Sequence, residues 1–402
     1  MKILARCALF IGAAAALLAG CGGSQPPVGA PNGMPQSRES SGYVTLYDFG
    51  AGRDGAAPKA GLIAVNGTLY GTTYAGGKHG YGTVFNVTTT GSEKVLYSFQ
   101  SNSDGANPSA SLIGVKGVLY GTTEYGGPHL DGTVFRISTS GVEKVLYSFQ
   151  GHYYGYDGAH PVANLIDVKG KLYGTTSNGG DNSECQYSCG TVYSVSRTGK
   201  EKVLHSFQLY TDGALPLGDL IDVKGTLYGT TQAGGSISIY GPGTIFSISR
   251  TGTEKVLYNF PYHGPNGAAP LAGLTNVSGT LYGTTGYGAV YGYGTAFSIT
   301  TSGTLTLLHT FGSGSDGSRP AAPLLNVHGT LYGTTELGGT YGKGTIFKMS
   351  LRGKEKVLHS FGYGSDGATP LADLIDVNGT LYGTTSAGGT YGNGTVFALT
   401  LR

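Results

Sequence analysis

From residue 43 onward the apolar positions fall in short runs broken by glycine turns, and the same arrangement of runs keeps returning. In one late copy PLADLIDV (370–377) passes through Asn378-Gly379 into TLYGTT, and an Asn-Gly pair between apolar runs is a strong two-residue hairpin signal. A glycine-rich loop and GTVF follow, with bulky and β-branched residues suited to a packed, pleated surface. A second glycine turn leads to EKVLYSF or a variant of it, as at 93–99, 143–149 and 355–361. Each copy is expected to make four short strands, called A to D here in chain order.

GTLYGTT at 67 is followed by GVLYGTT at 117, GKLYGTT at 170 and GTLYGTT at 225, 279, 329 and 379. Steps of 50, 53, 55, 54, 50 and 50 residues fit a kelch-type propeller blade of about 50 residues better than solenoid units of roughly 20 to 47. The ends of the array favour a closed ring. VTLYDF (44–49) matches strand D alone, whereas the last copy stops after strand C at GTVFALTLR (394–402). Pairing 44–49 beside 395–401 completes a seventh blade and leaves only short outer edges. The expectation is an all-β, seven-bladed β-propeller over residues 43–402, its ring closed by the N-terminal strand. LYGTT is then strand B, with Leu69 and Tyr70 pointing to opposite faces covered by neighbouring blades and Gly71 permitting close packing.

GGTYGNGTVF (388–397), GKEKVLHSF (353–361) and GTLYGTT together resemble the GloVer tandem repeat of the choice-of-anchor bacterial surface proteins. The resemblance spans residues 44–402. It implies an exported, surface-anchored protein whose type of anchor varies, and it carries no biochemical activity. The layout is also similar to kelch propellers, with Gly76-Gly77 and Gly388-Gly389 at the kelch double glycine, although the kelch tryptophan has no counterpart in a chain without Trp.

Lys2 and Arg6 precede an apolar stretch, 8–18, that is too short to span a bilayer and suits a secretory signal over residues 1–20. LAGC, ending at Cys21, resembles a bacterial lipoprotein signal and implies lipid on that sulfur; cleavage to a soluble secreted form is the alternative. Residues 21–42 make a Gly-, Pro- and Ser-rich tether of up to roughly 70 Å. The expected location is the bacterial cell envelope, outer membrane or cell surface, with the lipid as the membrane contact. Losing the signal removes two of the 25 Lys and Arg and none of the 23 Asp and Glu, which leaves the charges balanced. A neutral chain without basic runs argues against nucleic acid. In an oxidising envelope Cys185 and Cys189 are expected to form a disulfide.

Loop lengths locate the face for a ligand. The step from the proline before strand A to the strand B leucine is always 11 residues, as is the step from the strand C glycine to strand D. The B–C span varies from 13 residues at Leu69 to Gly82 up to 18 at Leu172 to Gly190, and the D–A span stretches from 9 to 12 at Phe149 to Pro161. Up-and-down strands put both variable connections on one rim, and insertions gathered on one face often mark the binding face. That rim carries His152, Tyr153, Tyr154 and Tyr156 in GHYYGYDGAH (151–160), with Tyr187, Tyr240, Tyr262 and Tyr291 in other blades. Amphipathic rings with hydroxyl handles suit a glycan or protein ligand, the alternative being that they pack the glycine-rich loops.

Catalytic chemistry is thinner. Asp167, Asp222 and Asp376 recur on strand A and could reach the central channel as the acid and base of a glycosidase or lyase, yet their place beside the A–B turn suits solvated strand ends better. DGxxP recurs at Asp54, Asp104, Asp157, Asp212, Asp316 and Asp366, with Asn266 in the remaining copy, and an Asx-type turn accounts for it. Calcium, which wants six to eight oxygens, is the sharper reading of those turns. GAGRDG (50–55), GSGSDG (312–317) and GYGSDG (362–367) match G-x-G-x-x-G but follow strand D and lead into proline, so they are turns and not dinucleotide sites. No catalytic or metal-ligating residue is assigned, and the expected role is binding or adhesion through the variable rim, with a carbohydrate-active propeller enzyme as the alternative.

Overall fold

The computed structural model describes residues 42–50, 52–151, 157–181, 189–235, 241–261, 264–312 and 315–402. The signal, Cys21 and the tether up to residue 41 lie outside these residues, as do His152, Tyr153, Tyr154, Tyr156, Cys185, Tyr187, Tyr240 and Tyr262. Cys189 lies within them and is buried, 1% exposed.

Each inner hairpin turns on two residues of positive φ: Asn66 (51°) and Gly67 (79°) in the first repeat, and Lys116, Lys169, Lys224, Ser278, His328 or Asn378 before a glycine in the others. Positive φ at both central residues is the type I′ geometry, whose twist matches that of the flanking strands. Lysine lacks the short polar side chain that lets asparagine hold a left-handed backbone through local hydrogen bonds. Replacing Lys116, Lys169 and Lys224 by Asn is therefore expected to stabilise the protein by roughly 0.5 kcal/mol per site. The check is a higher denaturant midpoint at unchanged slope.

The strands form seven four-stranded antiparallel sheets. The first blade consists of Ile63–Val65, Thr68–Thr73, Thr83–Thr88 and Glu93–Ser98 as strands A to D. Five further blades repeat this order. The seventh takes Ile375–Val377, Thr380–Thr385 and Thr395–Thr400 from the C-terminal end and completes its sheet with Tyr43–Asp48. Tyr43 pairs with Leu399 and Asp48 with Thr395, and the ladder shifts between Thr45 and Tyr47. The same shift separates strands C and D in the first blade, between Val84 and Phe85. The N-terminal strand thus reproduces strand D down to its bulge, as the sequence match predicted.

Hydrophobic clusters fill the blade junctions, each drawing on two neighbouring blades. At the first-to-second junction Tyr70, Val84 and Phe99 meet Leu112, Leu119 and Phe135. At the closing junction Phe49, Tyr382 and Val396 meet Leu62, Leu69 and Phe85 in the same arrangement. Leu69 and Tyr70 therefore serve opposite junctions. The phenylalanine just after each strand D stands edge-on to a strand C ring of the next blade, as in Phe99–Phe135 at 5.2 Å and 67° and the closing pair Phe49–Phe85 at 5.2 Å and 73°, except that Phe361–Phe397 is tilted at 58°. Such pairs add about 0.5 to 1.5 kcal/mol beyond the area they bury.

These rings explain the glycine of LYGTT. Gly71 lies opposite Phe85 in the ladder, and a Cβ on it would come within 2.8 Å of both Phe85 Cζ and Leu62 Cδ2. Its two threonines differ in role: Thr72 Oγ1 donates to Ala110 O of the next blade at 3.3 Å, whereas Thr73 Oγ1 meets Thr83 Oγ1 at 2.8 Å, buried at the B–C end of the strands, and donates to Ala75 O at 3.0 Å. The motif is scaffold.

Candidate functional site

The two variable connections share a rim because they are hydrogen-bonded to each other. Ala56 of a D–A connection bridges Ala75 of a B–C connection, and equivalent bridges recur at Ala106–Tyr125, Ala214–Ala233 and Ala368–Ala387. Adjacent blades are laced the same way, with Asn107 N–H donating to Tyr81 O at 2.8 Å. Loops of different length are thus held on a common platform.

Every exposed tyrosine among the described residues stands on this rim. Tyr81, Tyr125, Tyr341 and Tyr391 lie in B–C connections, and Tyr287, Tyr291 and Tyr293 share another. Tyr210 and Tyr363 lie in D–A connections, and Tyr363 leans on Tyr341 with ring centroids 5.7 Å apart. Tyr291, 62% exposed, is the one of the eight candidate rim residues named above that lies among the described residues. The opposite rim carries the two-residue A–B turns and the C–D turns, and no exposed tyrosine among the described residues lies there.

The DGxxP aspartates serve as turn acceptors. Asp54 Oδ2 accepts from Gly50 N–H at 2.7 Å and from the Tyr47 hydroxyl at 2.9 Å. His205 replaces the tyrosine at Asp212 (2.7 Å) and His359 at Asp366 (3.0 Å), while Asn266 Nδ2 donates to the Tyr258 hydroxyl at 2.8 Å. A second carboxyl sits against these turns, from the residue that opens strand D of the following blade. Burial first, and the neighbouring aspartate second, push Glu93, Glu143, Glu201, Glu254 and Glu355 up to about 7. The copy with Asn266 has Leu305 at the glutamate's position, so both members of the carboxyl pair are absent together.

The central channel holds a site of different character. The third residue after the proline that precedes strand A is Gly61, Ser111, Asn164, Asp219, Gly273, Pro323 and Asp373 around the ring, and all seven line a cavity of about 140 Å³. Beyond this ring a second cavity of about 290 Å³ is walled mainly by leucines and isoleucines such as Leu62, Ile113 and Leu220. A hydrogen-bonded arc crosses the ring between the two. Ser111 Oγ donates to Asp373 Oδ1 at 3.0 Å, Ser111 N–H to Asn164 Oδ1 at 2.5 Å, and Asn164 to both oxygens of Asp219 at 2.7 and 2.8 Å. Asp373 reaches Ser111 past Gly61, where a Cβ would lie 2.0 Å from Asp373 Oδ1. Both carboxyls lie deep in the protein but touch the lumen, so water meets part of each. Burial, then the charge of Asp373, pushes Asp219 up to about 7. Burial also raises Asp373, against the pull of the Ser111 hydroxyl.

The recurring strand A aspartates stand elsewhere. Asp167 pairs with Arg197 at 2.9 Å, Asp222 lies 3.9 Å from Arg250, and Asp376 caps Gly379 N–H at 3.0 Å. They close the uniform rim, the strand-end role the sequence favoured. Sequence reasoning missed Asp219 and Asp373. The available signal was variation: within a P-x-x-x-L step that keeps its proline, a small third residue and its leucine, the fourth place changes from glycine through serine and asparagine to aspartate and proline.

The sequence profile described as the Gloeobacter/Verrucomicrobia repeat matches residues 36–187, 152–264 and 236–402. No curated protein sequence matches the chain. Among solved structures the chain is similar to a gluconolactonase from Xanthomonas campestris at 13% identity, with 90% of this chain and 89% of that one covered and a TM-score of 0.45. It is also similar to a puromycin hydrolase (12% identity, 83% and 50% covered, TM-score 0.55) and to a europium-containing methanol dehydrogenase (12%, 90% and 94%, TM-score 0.50). At such identities the likeness to these last two is one of fold alone.

Proposed function

We propose, for a chain that belongs to the Gloeobacter/Verrucomicrobia repeat family, a binding module of the cell envelope that is exported, held through lipid on Cys21, and turned toward a glycan by its variable rim. The confinement of all described exposed tyrosines to that rim carries this reading. Rings of this kind offer a flat apolar face to the C–H side of a sugar and a hydroxyl to its edge. Loops of differing length on a rigid ring give each blade its own contribution to the contact.

A second reading rests on Asp219. A channel carboxyl at about 7 is poised as a general acid or base near neutrality. Against it, both Asp219 oxygens are already taken by Asn164. The arc suits a closed floor better than an open reaction centre.

One experiment separates the two. Residues 42–402, which contain every strand of the ring, are screened on a glycan array, and each bound sugar is recovered for mass spectrometry. Intact glycans, retained by the parent and weakened at least about tenfold by Tyr291→Ala or Tyr341→Ala, are the expected result. Cleaved sugars that persist in those variants and vanish with Asp219→Asn would replace binding with catalysis.

A further inference from the structure

At each junction three positions meet: the aromatic residue near the end of one strand D, the aspartate of the turn that follows, and the first residue of the next strand D. Three junctions hold Tyr, Asp and Glu, as in Tyr47, Asp54 and Glu93. Two hold His, Asp and Glu. We propose that these two, His205–Asp212–Glu254 and His309–Asp316–Glu355, each bind a divalent first-row transition ion of the zinc class that ties neighbouring blades together.

The donor geometry comes first. In each group one ligand atom from every residue lies within 4.8 Å of the others, with His205 Nε2 2.7 Å from Asp212 Oδ2 and His309 Nε2 3.3 Å from Asp316 Oδ1. One imidazole nitrogen with two carboxylate oxygens suits zinc and its neighbours, whereas calcium and magnesium want oxygen alone. A second observation points the same way. Glu254 Oε1 and Glu355 Oε1 are buried without a hydrogen-bond partner, and an ion between the three groups would give each oxygen one. The His and Asp side chains keep 20% and 10% exposure at one site and 21% and 25% at the other. An ion can therefore enter, and water can complete its coordination.

The remaining junctions separate metal binding from a merely structural contact. Glu93, Glu143 and Glu201 have the same unpartnered oxygen, but a phenol stands in the imidazole's place, and burial raises Tyr47, Tyr97 and Tyr147 away from the ionised form a metal needs. At the sixth-to-seventh junction the imidazole is present as His359, yet Tyr43 occupies the glutamate's position and stacks on that ring at 3.9 Å. Only the two proposed junctions combine all three donors among the described residues.

The test uses the full chain, stripped with chelator, dialysed against zinc and analysed for bound metal by mass spectrometry. His205→Tyr and His309→Tyr are each expected to lower bound zinc by one ion per chain, and the double variant by two. His359→Tyr should leave the count unchanged. Tyrosine is what the chain itself carries at 47, 97 and 147, so the variants retain a junction the fold already accommodates. Glu254→Gln and Glu355→Gln, which keep shape and remove charge, should each cost one ion as well. Cobalt loading gives an independent readout, a visible absorption band that halves in each single variant. No zinc bound by the parent chain, or a zinc count unmoved by the double variant, overturns the proposal.

Discussion

A chain that starts at Gly50, and so lacks the N-terminal strand, is expected to lose its cooperative melt and its solubility together. Phe49 is fully buried in the closing junction, and truncating such a phenylalanine to alanine alone costs about 3 to 5 kcal/mol. The deletion also removes Leu46 and Tyr47 from the same cluster and every ladder bond to Thr395–Thr400. The sum approaches the roughly 5 to 15 kcal/mol that holds a typical domain folded. It further exposes a six-residue edge rich in β-branched and aromatic residues, a template for pairing with another copy. Thermal denaturation and size-exclusion chromatography read the outcome. Phe49→Ala should show the smaller loss by itself, and a synthetic peptide of residues 42–50 should restore part of the melt. A deletion variant that stays monomeric with an unchanged midpoint would mean that the ring does not depend on this strand.

Acidification from pH 8 to pH 5 is expected to stabilise the protein, against the usual trend. The sign follows from the carboxyls at the blade junctions and in the channel. Glu93, Glu143, Glu201, Glu254 and Glu355 rise from 4.5 to about 7, and Asp219 from 3.8 to about 7. Between those limits the folded state binds more protons than the unfolded chain, so stability falls as pH rises through the window. The penalty is complete above about pH 7 and absent below about 4.5. The glutamates are half-exposed, and after solvent screening each contributes on the order of 1 kcal/mol. Together they amount to several kcal/mol, measured as a denaturant midpoint that climbs as pH drops, in chelator to keep metals out. Glu93→Gln, Glu143→Gln and Glu201→Gln combined should flatten the profile by raising stability at pH 8 and leaving it unaltered at pH 5. A midpoint that falls steadily on acidification would contradict the assignment.

How much of this was legible in the sequence depended on distance along the chain. Ring closure was, because a lone strand D at 44–49 and a missing one after 402 are local pattern facts that one pairing resolves. The role of LYGTT was legible too, since a motif present in every blade has to serve what every blade shares. The Asp54–Glu93 pair was not, because its members lie on different repeats and meet only once blades stand side by side. Asp219 and Asp373 were hidden for a related reason: a repeat marks the aspartates that recur, Asp167, Asp222 and Asp376, whereas the channel is lined by a place that varies from blade to blade. Tyrosine exposure was hidden as well. Tyr70 and Tyr391 are the same residue type in repeated motifs, yet one fills a junction at 6% exposure and the other stands out at 64%.

The direction of the closing strand has a mechanical consequence. Gly42 O accepts from Thr400 N–H at the uniform rim, and Asp48 accepts from Thr390 at the tyrosine rim, so the strand runs from one rim to the other. Anything fixed to the chain ahead of Gly42 pulls from the uniform side, and a ligand gripped by the tyrosines pulls from the other. Tension between them lies along the strand axis and across the hydrogen bonds to Thr395–Thr400, which share it in shear and are not peeled apart one by one. Were the chain held ahead of Gly42, as the proposed lipid on Cys21 would hold it, the strand that shuts the ring would be the one that carries the force.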